Sequence, residues 1–396
     1  MKKFNMMIPE GTRDILPDEC REIRSVQKKL MDVFIKRGYK EVMTPGLEYY
    51  DVFNIEGAEI PQHEMYKSTD NHGRLIVVRP DLTLPIARLT ATRLKNSDLP
   101  IRICYDRPVY RNRPDLSGRT DESRQAGVEL MGAEGIKADF EVISMAINCL
   151  KCLVPDFRIE IGHAGIFKRL SSLLNLSGEH AERIRTTIES KNYGALSGLL
   201  EEIPDSEEKS ALLRLPRLFG GDEVFAEANE LFKDEEIKDI LSYLDKLYKL
   251  LCKMGAEDNI MIDLGLVQRN DYYSGAVFSA YAQGHGDAVL MGGRYDYLLE
   301  KFGRPMASVG FACEVEAITK IRMNSYKNEE EKIEKILVHG DEGYEAETEL
   351  YINNLMQKEK FVICSMCETR AEAQEYANKH NINKIIFIGE KGAETL

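Results

Sequence analysis

The sequence predicts an α+β protein, with a mixed helix-and-strand core, a helical insertion and a small α/β domain at the end. Three observations predict it. Apolar runs of strand character flank an almost wholly helical stretch at 164–255. A charged stretch at 324–334 reads as a linker. After it, three apolar runs alternate with two helical patterns. Strands from the two flanks have to share one sheet, because neither set buries its apolar faces alone. The organisation expected is a core of 1–163 and 256–323, an insertion of 164–255 and a terminal domain of 331–396.

Taken in order, Ile23, Val26, Leu30, Val33 and Phe34 make an apolar stripe at helical spacing, opened by Asp18 as N-cap and closed by Gly38. Runs at 75–78 and 101–104 read as strands, and Val142, Ile143, Ala146, Ile147 and Leu150 mark another helix. Pro204, Pro216 and Gly220-Gly221 break the insertion into shorter helices. Strand runs return at 260–264, 276–279, 288–290 and 307–309. The tail places strands at 336–338, 361–364 and 385–388 with helices between, which is a small parallel sheet.

Composition narrows function. The 396 residues carry 53 Lys+Arg against 66 Asp+Glu, a net charge of −13, and the 43% hydrophobic fraction fills sizeable cores. An acidic chain is a poor general binder of phosphate backbones. No apolar run approaches the roughly 20 residues that cross a bilayer. Met1-Lys2-Lys3-Phe4-Asn5 leads into Pro and Glu without an apolar core, so a cytoplasmic protein without a signal peptide is expected. The eight cysteines include two CxxC pairs, Cys149/Cys152 and Cys364/Cys367. The first pair falls in a helical pattern and the second at a buried strand, where positions three apart face opposite sides. Ordinary buried thiols in a reducing compartment are expected, and no metal site.

Nucleotide-binding glycine loops and the G-x-S-x-G elbow are missing from the sequence. What remains is a series of polar and glycine-bearing segments around strands: Arg79-Pro-Asp-Leu-Thr83, Tyr110-Arg-Asn-Arg113, Gln125-Ala-Gly-Val-Glu129, Asp271-Tyr-Tyr-Ser-Gly275 and Gly292-Gly-Arg-Tyr-Asp296. Gln125 and Glu129 are four apart on a strand, so both face one way while Val128 faces the other. Carboxylates, a glutamine and several tyrosines suit a small cationic or amine-bearing ligand. The plainer alternative is a solvated sheet face, with Asp81 as a helix cap, Glu129 paired to Arg79 or Arg124, and Tyr272 and Tyr273 as packing.

These segments, with Pro9-Glu-Gly-Thr-Arg-Asp-Ile-Leu-Pro17 and Gly38-Tyr-Lys-Glu-Val-Met-Thr-Pro-Gly-Leu-Glu48, resemble in order the catalytic core of histidyl-tRNA synthetases, a class II aminoacyl-tRNA synthetase family. The resemblance implies a class II synthetase-like antiparallel sheet and covers about residues 8–320 discontinuously. It implies a histidine pocket of Asp81, Thr83, Gln125, Glu129, Tyr272, Tyr273 and Tyr295, with Arg111 and Gln268 beside it. Asp81 and Glu129 would hold the ammonium, Gln125 would orient it, and the three tyrosines would box the imidazole. The ATP clamp departs from the family. The Arg-x-Glu of the second class motif reads Arg111-Asn-Arg113, a catalytic arginine is replaced by Gln268 with Arg269 next to it, and Ala317 stands where an arginine ends the third motif. Removing one such transition-state contact costs on the order of 10²–10³ in rate.

A kept amino-acid pocket beside a dismantled nucleotide clamp is similar to the ATP phosphoribosyltransferase regulatory subunits, a synthetase-like family of histidine biosynthesis. That resemblance implies a non-catalytic chain without cofactor. It would pair with the short catalytic subunit that makes phosphoribosyl-ATP, be required for its activity and carry histidine feedback. The assembly implied is a homodimer within a hetero-octamer, with no membrane and no tRNA partner. The segment 331–396 resembles a shortened anticodon-binding domain, but its 13 Asp+Glu against 8 Lys+Arg make a poor RNA surface. The alternatives are an active histidyl-tRNA synthetase and an assembly scaffold with a dead pocket.

Overall fold

The computed structural model describes residues 4–112, 120–268, 272–325, 335–358 and 360–396. The chain divides into two units, Met1–Ser325 and Tyr326–Leu396.

In the first unit, helix α1 (Pro17–Lys36) buries Ile23, Val26, Leu30 and Phe34. The helix starts one residue before the expected cap: Leu16 holds the cap position without a side-chain bond, and Pro17 opens the first turn. Proline presets the helical φ there, so Asp18 falls inside the first turn and pairs with Arg21. Strand β1 (Lys40–Glu41) follows. Strands β2 (Leu47–Tyr49), β3 (Lys67–Thr69) and β4 (Leu75–Val78) form a separate antiparallel sheet in the order β2-β4-β3. Helix α2 (Thr83–Thr92) leads to the long hairpin of β5 (Ile101–Tyr110) and β6 (Glu122–Met131). Helix α3 (Ile136–Lys151) and strand β7 (Phe157–His163) precede the helical stretch.

That stretch contains α4 (Ala164–Leu173), α5 (Gly178–Glu189), α6 (Tyr193–Glu201), α7 (Glu207–Arg214), the two-residue strand β8 (Phe219–Gly220), α8 (Glu223–Leu231) and α9 (Glu235–Lys253). Strands β9 (Ile260–Asp263), β10 (Ala276–Ala282), β11 (Leu290–Arg294) and β12 (Ser308–Glu314) then precede α10 (Val315–Ser325).

The described residues build a nine-stranded sheet in the order β1-β5-β6-β12-β11-β10-β7-β9-β8. Strands from both sides of the helical stretch meet in it, as burial demands: β7 pairs antiparallel with β10 and parallel with β9. Two details differ from expectation. The break at Gly220 contributes an edge strand, with Phe219 opposite Asp263. The strand expected at 288–290 begins at Leu290 and runs through Gly292 and Gly293. Glycine weakens a strand signal in sequence. Here it is demanded by a close approach, since a Cβ on Gly292 would fall 2.4 Å from the Gly310 carbonyl oxygen.

The main core lies on one side of the sheet, where α1, α3 and α10 cover Ala126, Val128, Leu130, Phe278 and Phe311. Phe34 meets Phe311 edge-on at 5.8 Å. On this side Arg294 is 7% exposed and grips Asp139 at 2.6 Å, while Tyr243 on α9 donates its hydroxyl to the same carboxylate. His163 accepts the Gly165 N–H, and burial first, then Arg294, lowers its pKa to about 4, so the ring is neutral near pH 7. The opposite side packs a second cluster of Phe53, Met65, Leu82, Ile103, Tyr105, Tyr273 and Tyr295.

In the second unit, β13 (Lys335–Gly340), α11 (Glu345–Gln357), β14 (Phe361–Cys364), α12 (Arg370–Lys379), β15 (Lys384–Gly389) and β16 (Gly392–Thr395) form a sheet ordered β14-β13-β15-β16. The first three strands are parallel; β16 closes a hairpin on β15 that the apolar pattern did not reveal, because Gly392 to Thr395 carries no apolar run. Cys364 packs with the Val338 side of this sheet and Cys367 with the Leu337 side. Among the described residues no helix is long and apolar enough to cross a membrane.

Candidate functional site

Strand alternation sets up the site. Along β6, Ala126, Val128 and Leu130 enter the main core, which leaves Gln125, Gly127 and Glu129 on the other face. In register, Gly127 lies between Tyr105 of β5 and Ala312 of β12, and Glu129 between Ile103 and Gly310. Gly310 makes the room: a Cβ there would fall 1.8 Å from Glu129 Oε2.

Glu129 is 1% exposed, and its bonding partners are hydroxyls. Thr83, at the start of α2, donates to Oε1 at 3.0 Å. Tyr295, just past β11, donates to Oε2, and the Tyr105 hydroxyl also reaches this carboxyl. Neither arginine of the plainer reading neutralises it. Arg79 donates to the carbonyls of Thr44, Pro45 and Pro108, and Arg124 lies 3.7 Å from Glu316. A carboxylate buried without a cation resists ionisation. Burial drives the Glu129 pKa up to about 8; the Tyr295 and Thr83 bonds pull against that shift and Asp81 adds to it. The hydroxyls of Tyr105, Tyr272 and Tyr295 are pushed well above the ordinary range by burial, so they stay protonated donors.

Asp81 combines two roles. Its Oδ1 accepts the Leu84 N–H at 2.9 Å, so the capping expected of the plainer reading is present. Burial also raises its pKa, opposed by that bond and by Arg111. The aromatic wall is continuous: the Tyr272 ring lies 4.8 Å from Tyr273 and 5.8 Å, edge-on, from Tyr295.

The fold therefore brings together Asp81, Thr83, Glu129, Tyr272, Tyr273 and Tyr295. The remaining expected residues lie around them. Gln125 is 5% exposed and donates Nε2 to Glu314 Oε1 at 2.7 Å. Arg111 donates Nε to the Pro80 carbonyl at 2.9 Å, beside Asp81. Gln268 donates Nε2 to the Phe278 carbonyl and to Ser279 Oγ, both at 3.1 Å. It lines a cavity of about 360 Å³ together with Tyr273 and Val277. Ala317 packs against the main core. Arg113, Arg269 and Asp271 lie outside the described residues. Sequence reasoning missed Tyr105. Its signal is the hairpin register, because the residue opposite Gly127 must share the face of Glu129.

Comparison with known proteins agrees with this architecture. A family model described as Histidyl-tRNA synthetase matches residues 11–318. A histidyl-tRNA synthetase structure from Nostoc sp. PCC 7120 covers 98% of this chain and 93% of its own at a TM-score of 0.81, and its 19% identity makes that a likeness of fold. The fold is thus that of the histidyl-tRNA synthetase-like class II proteins. The "ATP phosphoribosyltransferase regulatory subunit" of Clostridium kluyveri is 38% identical over 386 residues, covering 96% of this chain and 99% of that one. A structure titled as an ATP phosphoribosyltransferase regulatory subunit/histidyl-tRNA synthetase from Bacillus halodurans C is 30% identical, with a TM-score of 0.85 over 98% of this chain and 99% of its own. The chain belongs to the family of ATP phosphoribosyltransferase regulatory subunits.

Proposed function

We propose that this chain is the non-catalytic, histidine-sensing partner of a short ATP phosphoribosyltransferase catalytic subunit in the cytoplasm. The observation that carries the reading is Glu129: a buried carboxyl inside a tyrosine cluster, whose partners among the described residues are hydroxyls and not cations. Tyr295 belongs to the proposed box and also bonds Glu129, so this carboxyl meets the edge of the imidazole ring. The ammonium falls to Asp81 and Gln125. This assignment shifts Glu129 from the ammonium end, where the sequence alone put it, to the ring end. Gln268 supports the non-catalytic reading. Its amide is spent on the sheet, and a neutral amide offers little to a triphosphate compared with a guanidinium.

Histidine regulates only if two quaternary states bind it with different affinity. The assembly we propose is a homodimer built into a hetero-octamer with the catalytic subunit. The test is to mix the two subunits and assay phosphoribosyl-ATP formation with and without histidine. Activity that needs this chain and falls with histidine supports the reading. Histidine-dependent pyrophosphate exchange with ATP by this chain alone overturns it in favour of a working synthetase. A chain that activates its partner but is blind to histidine is the scaffold.

A further inference from the structure

Gln125 and Glu314 face each other across β6 and β12. They stand on the pocket side, where Gln125 is 5% exposed and its Nε2 lies 2.7 Å from Glu314 Oε1. A glutamine amide has a donor end and an acceptor end, whereas an ionised carboxylate only accepts. Glu314 therefore settles which end points where. The NH₂ is held at the carboxylate, and the Oε1 acceptor is turned away from it.

Between Gln125 and Glu129 the strand carries only Gly127 on this face, and the Tyr105 side chain packs over it. A Cβ on Gly127 would fall 2.3 Å from the Phe311 carbonyl oxygen and 2.6 Å from the Tyr105 hydroxyl, so a larger residue does not fit. Four residues of strand separate the two side chains, roughly 13 Å.

We propose that Glu314 is a positioning residue that locks Gln125 with its carbonyl oxygen presented to the ligand, making the site selective for an α-amine. The inference deepens the histidine reading and rests on it. With the amide free to turn, the NH₂ would oppose the ammonium as often as the oxygen received it. With Glu314 in place, the oxygen is always presented, and the negative charge behind it favours a cation at the same end.

The test titrates the full-length protein with histidine, histidinol and imidazolepropionate, the last of which keeps the ring and lacks the amine. Two variants are compared with the parent, Glu314→Ala and Glu314→Gln, and thermal unfolding reports which of them fold. The expected result is that histidine and histidinol weaken on the order of tenfold, about 1.4 kcal/mol. Imidazolepropionate keeps its parental affinity. A uniform loss for all three ligands would mean a merely structural role and overturns the inference, as does unchanged selectivity in either folded variant. A parent protein that binds none of the three overturns the histidine reading itself, and the role of Glu314 falls with it.

Discussion

Replacing Glu129 by glutamine keeps the shape of the site and removes its titration. In the parent, burial lifts this carboxyl from 4.5 to about 8. At about 1.4 kcal/mol per unit, the ionised form is disfavoured by several kcal/mol. The sign follows from proton counts. Between the two values the unfolded chain has released the proton that the folded chain still holds, so stability falls as pH rises. Above about pH 8 both states are ionised and this contribution is flat. The amide of the Glu129→Gln variant is neutral throughout, and its oxygen still accepts from Thr83. Urea unfolding of both proteins at about pH 5 and about pH 8.5 compares them while all other groups cancel. The variant should gain on the parent by at least about 2 kcal/mol across that interval. Parallel pH profiles would refute the claim that Glu129 is buried without a cation. The same variant should lose histidine affinity at every pH, by isothermal titration.

Three further outcomes follow from the geometry. Gly310→Ala puts a methyl group where Glu129 Oε2 now sits, so it should cost about 1–3 kcal/mol of stability and abolish histidine binding. Tyr295→Phe removes a donor to the Glu129 carboxyl; chemical denaturation should show a loss of about 1–3 kcal/mol, and the pH at which stability stops falling should rise. Asp139→Ala leaves the buried Arg294 guanidinium with Asp296 as its remaining carboxylate and should cost about 1.5–3 kcal/mol by urea unfolding, while Asp139→Ala with Arg294→Met should recover much of that loss.

Much of this was legible in the sequence, for identifiable reasons. Helix α1 and the β6 strand carry one apolar face each, so their periodicity reveals both the element and the side that remains for the ligand. That strands from both sides of the helical stretch share one sheet followed from burial, whereas the particular pairing of β7 with β10 is seen only in the structure. What escaped was set by tertiary neighbours. Gly292 and Gly293 look like a loop until Gly310 is seen packed against them. Tyr105 shows no local signal, because its place depends on the hairpin register. Glu314 reads as one more acid at a strand end until Gln125 is found opposite. Asp18 had the chemistry of a cap, but Pro17 beside it had already opened the helix.

Arg294 and Tyr295 are chain neighbours that look in opposite directions, one toward Tyr243 of helix α9 and one toward Glu129. The excursion from 164 to 255 is thus wired into the molecule rather than hung on it. Excising it as a cassette would take away α9 and the β8 edge, and would leave a guanidinium and a carboxylate facing solvent one bond from the ligand wall. A trimmed version of this protein would need new side chains at 139 and 294 before it needed a new loop.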